Sequence, residues 1–178
     1  MLVEEFLEAS AARLPDKVAV VAGERSITYR ELDERANALA HSLVQAGIQR
    51  GDRVVICLTN SIEVVLSIFG VLKAGAVFAV LSPSAKAEKI VYVLTQSRAS
   101  GLIMAGKRLS ELLPLTDQLN GLQVIVGTEA VTKEQWEGTP KAVSFAQCIE
   151  NEGHRIALPK RNIDVDLAAL IYTSSSTG

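Results

Sequence analysis

Thiols and imidazoles are scarce in this chain. Cys57 lies in the apolar run VVICL and Cys148 in SFAQCIE. Two isolated cysteines make neither a disulfide framework nor a metal-ligand cluster. His41 and His154 are far apart in the sequence, with no cysteine or carboxylate at ligand spacing. All four residues therefore read as structural, and no metal ligand is assigned. An excess of one charge is also missing. Eighteen Lys and Arg against 20 Asp and Glu leave a net charge of -2, which gives nucleic acid no basic footprint. Internal repeats and low-complexity linkers are absent too. The stretch MLVEEFLEAS has neither a basic region nor an apolar core of the kind that makes a secretory signal, so the expected compartment is the cytoplasm.

Apolar residues, by contrast, are plentiful. They make up 48% of the 178 residues, and the mean hydropathy is +0.24. The chain is long enough for one domain with a real core. Such values also fit apolar surface meant for a neighbour. The longest apolar stretch, residues 64–81 (VVLSIFGVLKAGAVFAVL), has the length of a membrane span. Lys73 near its middle and the punctuating Gly70 and Gly75 make it a helix followed by a buried strand instead.

Hydrophobic spacing then predicts the elements in turn. An opening helix places Val3, Phe6, Leu7, Ser10 and Leu14 on one face and ends at Pro15-Asp16. KVAVVA and RSITY flank Gly23-Glu24 as a hairpin. Thr28 and Glu31 have capping-box spacing and open a helix with Leu32, Ala36, Leu39, Leu43 and Val44 on its apolar face, stopped by Gly47. Arg50-Gly51-Asp52 is a turn, and RVVICL a strand apolar on both faces. Asn60 and Glu63 repeat the capping-box spacing before a helix that buries Ile62, Leu66, Phe69 and Leu72. AVFAVL is a strand, KAEKIVYVLTQSR a helix packing through Ile90, Val93 and Leu94, and GLIMA a strand. LSELLPLTDQL is helical with a kink or break at Pro114, and LQVIVG is a strand. Residues 127–162 carry no clear period; they read as a long excursion around Trp136 with a short element near SFAQCI. DLAALIYT closes the pattern as a strand. Buried strands alternating with amphipathic helices make an α/β fold with a mostly parallel sheet and flanking helices. In such sheets ligands bind beyond the carboxyl ends of the strands.

That last strand delivers Thr173, Ser174, Ser175, Ser176, Thr177 and Gly178. Hydroxyls donate to phosphate oxygens, and consecutive backbone N–H groups form anion-binding concavities. Glycine lets a ligand approach the backbone. The loop is no Walker A, since it has no lysine. A bare run of Ser and Thr is also what a frayed chain end looks like.

Three ordered stretches decide between these readings. Residues 172–178 (YTSSSTG) resemble the phosphate-loop signature of AMP-forming acid ligases, the adenylate-forming superfamily, which reads Tyr-Thr-Ser-Gly-Ser-Thr-Gly followed by x-Pro-Lys-Gly. SITYREL, residues 26–32, resembles the family's early Leu-Thr-Tyr-x-Glu-Leu motif. VLKAGAVFAVLSP, residues 71–83, resembles its Leu-Lys-Ala-Gly motif. In these two stretches Tyr29, Glu31 and Lys73 read as structural, with Lys73 suited to a helix C-terminus. Ser175 replaces the usual glycine; if that position needs φ > 0, serine costs on the order of 1 kcal/mol.

The resemblance implies that residues 1–178 are a single incomplete domain, the amino-terminal part of an adenylate-forming enzyme's large domain. It implies ATP with Mg²⁺, whose ligands lie outside this chain, and a small-molecule carboxylic acid. The acyl-adenylate then passes to a thiol, with coenzyme A as acceptor. LSPSAKAEKIVYVL resembles acyl-CoA ligases more than the amino-acid-activating domains, which often carry Asp-Pro and an arginine there. Thr173, Ser174, Ser175, Ser176, Thr177 and Gly178 are the expected nucleotide-binding residues, and no residue is assigned as catalytic. The missing carboxy-terminal part or a completing chain would supply the rest. An amino-acid-activating domain and a non-catalytic nucleotide-binding or interaction module stand as alternatives.

Overall fold

The computed structural model describes residues 1–129, 131–132, 136, 140 and 142–172. Its centre is a six-stranded sheet of β3 (Arg53–Cys57), β4 (Val77–Val80), β5 (Ala99–Met104), β6 (Val124–Gly127), β7 (Ala142–Ser144) and β8 (Ala169–Leu170). The order is β7-β6-β5-β3-β4-β8, and every pair is parallel. Successive residues of each strand face opposite sides, and here both sides are apolar. Val54, Ile56, Ile103, Val124 and Val126 enter one core. Val55, Cys57, Leu102, Met104 and Ile125 enter the other. The unalternating sequence of these strands follows from this double burial.

Helices α1 (Val3–Arg13), α2 (Tyr29–Gln45), α3 (Ile62–Lys73) and α5 (Phe145–Ile149) cover the first face. The antiparallel hairpin of β1 (Val18–Ala22) and β2 (Arg25–Thr28) packs with them. Helix α4 (Ala87–Ser97) and a 3₁₀ segment, Gly106–Gln118, cover the second. The capping box of α2 forms as expected. Glu31 N–H donates to Thr28 Oγ1 at 3.3 Å, and the Glu31 carboxylate accepts from Thr28 N–H at 2.9 Å. Gly47 (φ +105°) and Gly75 (φ +83°) turn the chain out of α2 and α3 in the left-handed region that favours glycine. Among the described residues, no helix is long and apolar enough to cross a membrane.

Four expectations change. Ser61, not Asn60, caps α3, accepting from Val64 N–H at 3.4 Å. Glu63 is drawn away to Arg25, 2.6 Å distant on β2. The stretch through Pro114 winds as 3₁₀ rather than α-helix; proline offers no N–H and its ring clashes with the preceding turn of an α-helix. On α1 the buried residues are Leu7 and Glu4, while Val3, Phe6 and Leu14 are exposed. Finally, the excursion contains β7, which extends the sheet beyond β6. Trp136 is buried there, its indole N–H donating to Pro140 O at 2.8 Å.

Candidate functional site

The parallel strands all point their carboxyl ends to one edge of the sheet. Leu58 and Thr59 follow β3, Pro83 follows β4, Ala105 follows β5, and Thr128 and Glu129 follow β6. Together they border a cavity of about 400 Å³. Its position is the one that the topology of an open parallel sheet makes available to ligands. Arg25, Lys107 and Arg108 bring positive charge to its wall.

Two of these cations are committed. Arg25 pairs with Glu63. The Arg108 guanidinium donates to Pro83 O at 2.5 Å and Ala85 O at 2.8 Å, and holds Glu111 at 2.6 Å. It therefore staples the loop after β4 to the 3₁₀ segment. Lys107 makes no direct ion pair with a carboxylate among the described residues, so its ammonium is available at the cavity wall. Glu129 closes another wall, accepting from Gly106 N–H at 2.5 Å and Thr128 Oγ1 at 3.2 Å. Cys57 also lines the cavity, but its thiol donates to Ser82 O at 3.3 Å. Burial pushes its pKa up, and Arg108 only partly offsets this. The thiol form prevails at neutral pH, and it is the poorer nucleophile. The arrangement suits a polar or anionic ligand held by one ammonium and several hydroxyls.

Acid should loosen this edge. Burial raises the Glu63 carboxyl, but the bond and charge of Arg25, together with the Glu63 backbone N–H and the Ser61 hydroxyl, outweigh it and hold the group below its ordinary value. A carboxylate with a depressed folded pKa contributes stability that is complete above its unfolded pKa. That contribution is lost as pH falls through the lower, folded value. Thermal melting should therefore be level down to the ordinary glutamate value of about 4.3 and drop below it. Glu63→Gln should shrink that drop. An unchanged acid slope in the variant would contradict the assignment.

Strand β8 lies on the far side of β4 from β3, two strand spacings or about 10 Å away. Being parallel to β4, it sends the chain out at the same edge as the cavity. Leu170 and Tyr172 are half-buried against the second core. The expected nucleotide-binding residues, Thr173 to Gly178, lie outside the described residues. Among the described residues, no group of three His, Cys, Asp or Glu side chains converges on a point that could hold a metal ion.

The profile of the AMP-binding enzyme family matches residues 7–178. This chain belongs to the AMP-binding enzyme family. It is similar along 99% of its length to tyrocidine synthase 2 of Brevibacillus parabrevis, at 34% identity. With bacitracin synthase 1 of Bacillus licheniformis it shares 30%, again over 99% of its length. It spans only 4% and 3% of those two proteins. Among solved structures, the anthranilate CoA ligase AuaEII in complex with anthranoyl-AMP matches all of the chain with a TM-score of 0.85 at 24% identity. The nonribosomal peptide synthetase FmoA3 matches 98% of it with a TM-score of 0.74 at 22% identity. The chain spans 32% and 16% of those two structures. At these identities the structures establish the fold alone: an α/β domain with helices on both faces of a parallel sheet.

Two contacts had no signal in the sequence. His41 and His154, 113 positions apart, stack with ring centroids 4.8 Å apart and planes 14° from parallel. Lys73 is buried between Glu8 and Asp33, with Nζ at 2.8 Å and 3.0 Å from their carboxylate oxygens. The motif stretch that holds Lys73 could be recognised, but its partners come from two other helices.

Proposed function

We propose that this chain supplies the phosphate-gripping region of a ligase that activates a carboxylic acid with ATP. The observation that supports this reading is the direction of β8, which runs parallel to β4 toward the cavity edge and is followed in the sequence by the family's loop signature, residues 172–178. Thr173, Ser174, Ser176, Thr177 and the Gly178 amide hold pyrophosphate oxygens, with Ser175 in the position usually occupied by glycine. A carboxylate oxygen attacks the α-phosphorus of ATP, and the bond to the β-phosphate oxygen breaks. The acyl-adenylate forms and pyrophosphate leaves. A thiol sulfur then attacks the acyl carbon and AMP departs. Bringing two anions together requires alignment and charge neutralisation. The hydroxyls and amides supply alignment; Mg²⁺ supplies charge when bound, through ligands outside this chain. Residues 1–178 are on this reading part of a larger AMP-binding domain.

The acid and the thiol are open to two readings. Ser82-Pro83-Ser84 after β4 supports an organic acid and coenzyme A, since the amino-acid-activating domains often carry Asp-Pro and an arginine there. The peptide synthases among the curated relatives support an amino acid instead. An antibody to residues 1–25 would recover the native polypeptide that carries this chain. Acid-dependent ATP–pyrophosphate exchange is then measured with panels of amino, aryl and fatty acids. Exchange with one panel establishes the chemistry and selects the substrate class. ATP binding without exchange under any acid would overturn the ligase reading in favour of a non-catalytic nucleotide-binding module.

A further inference from the structure

Strand β8 is held weakly by its own residues. It makes two ladder pairs, Phe78 with Ala169 and Ala79 with Leu170. Leu167 and Ile171 on either side of it are exposed. The preceding segment, residues 155–168, has no helix or strand and buries little, with Ile156, Ile163 and Val165 also exposed. Leu158 alone among its large apolar side chains packs against the first core, so apolar burial by itself does not explain why the segment follows one path across the first face to the sheet edge.

Its polar side chains and carbonyls do. The segment meets α2 first, where Asn37 Nδ2 donates to Arg155 O at 3.0 Å and His41 Nε2 donates to Ile156 O at 2.9 Å. Lys160 Nζ donates to Glu8 Oε2 on α1 at 2.6 Å. Asn162 Nδ2 donates to both Glu4 Oε1 at 3.1 Å and Leu72 O at 2.8 Å, joining α1 to α3. Asp166 receives the Arg50 guanidinium bidentately at 2.8 and 2.9 Å, and Ile163 N–H at 2.9 Å. The segment also lies against Gly75, where an added Cβ would come within 2.8 Å of Arg161 Cβ. Glu8 is the pivot, because its other oxygen holds the buried Lys73. Three buried polar atoms, Asn37 Oδ1, Arg155 Nε and Arg161 Nε, have no partner among the described residues. A partly satisfied network is easier to open than a complete one.

We infer that residues 155–168 are an electrostatic strap, and that Lys160, Asn162 and Asp166 are positioning residues for β8, clasped by α1, α2, α3 and the Arg50 turn. Its two ion pairs, Lys160–Glu8 and Arg50–Asp166, are partly exposed, individually weak and screened by salt, so the strap can release β8 without unfolding the core. Its consequence for nucleotide binding rests on the proposed function, because β8 leads into residues 173–178.

Hydrogen–deuterium exchange of the 178-residue chain, read in peptides over 166–172 and over β3 and β5, tests this. Lys160→Met leaves Lys73 paired with Glu8 and Asp33, and Asn162→Ala removes the bridge between α1 and α3. Each should speed exchange over 166–172 by about tenfold while β3 and β5 hold. Salt at 1 M should do the same to the unaltered chain, and Lys160→Arg should restore slow exchange. Unchanged exchange over 166–172 in both variants would overturn the strap, and so would equal acceleration of all three strands. Neither readout uses nucleotide, so the strap can fail while ATP–pyrophosphate exchange succeeds, and the reverse.

Discussion

Lys73→Ala is expected to remove about 3–5 kcal/mol of stability, the cost of breaking a buried ion pair from one side. The side chain is 4% exposed. Its ammonium lies 2.8 Å from Glu8 Oε1, in hydrogen-bonding geometry, and 3.0 Å from Asp33 Oδ1, off the line of a hydrogen bond but close enough for direct attraction. Removing it leaves two half-buried carboxylates, 28% and 21% exposed, facing each other without the cation between them. Glu8 retains Lys160, so Asp33 bears most of the loss. A domain of this size has about 5–15 kcal/mol in total, and urea unfolding should show the midpoint fall accordingly. Lys73→Met, which keeps the volume, should be nearly as damaging, because charge is the issue. Combining Lys73→Met with Glu8→Gln and Asp33→Asn should recover most of the loss, since replacing a whole buried pair is often close to neutral. A loss under about 1 kcal/mol for Lys73→Ala would mean that the pair behaves as a solvent-screened surface pair.

Gly70→Val is the second large effect. Gly70 sits in the middle of α3, where glycine is intrinsically worse than alanine by about 1 kcal/mol. Its place is explained by α2. A Cβ there would lie 2.7 Å from Leu39 Cδ2, 2.9 Å from Cγ and 3.0 Å from Cβ. Leu39 is fully buried, and its Cβ moves only if α2 moves. Alanine would gain the helix term and lose about 1–3 kcal/mol to overpacking, for a net loss. Valine adds two methyl groups and should lose more than that range, lowering the melting temperature by about 10 °C or more. Leu39→Ala alone should cost about 2–5 kcal/mol by leaving a cavity. The double variant Gly70→Val with Leu39→Ala should be better than the sum of the two losses, as expected for residues in direct contact. Strict additivity would place the clash elsewhere.

These two residues show how far the sequence could be read. Lys73 and Gly70 both interrupt the apolar stretch of residues 64–81, and their presence argued against a membrane span. The helix and the strand on either side of Gly75 formed as the pattern implied. What each interrupter does could not be read locally, because the groups that explain them, Glu8, Asp33 and Leu39, lie more than thirty positions away.

Local chemistry was sufficient wherever a feature depends on neighbours in the chain. The capping box of Thr28 and Glu31, the left-handed exits at Gly47 and Gly75, and the alternation of buried strand with amphipathic helix all depend on sterics and periodicity within a few residues. Thr28 met its partner three positions on. Glu63, with the same spacing behind it, was captured by Arg25 on β2, a competitor 38 positions distant. The amphipathic reading of α1 failed for a related reason: the acids Glu4 and Glu8 point at the polar network of Lys73, Lys160 and Asn162, and Phe6 is left outside.

By itself the sequence determined the fold class, the family signature and the parallel direction of the strands. Each of these is written in short-range pattern or in strand direction. Only the tertiary structure decided the strand order, the seat of β7 beyond β6, the cavity lined by Lys107 and Glu129, and the path of residues 155–168 to β8. Those features depend on contacts between distant segments, whose polar partners leave no periodic trace in the chain.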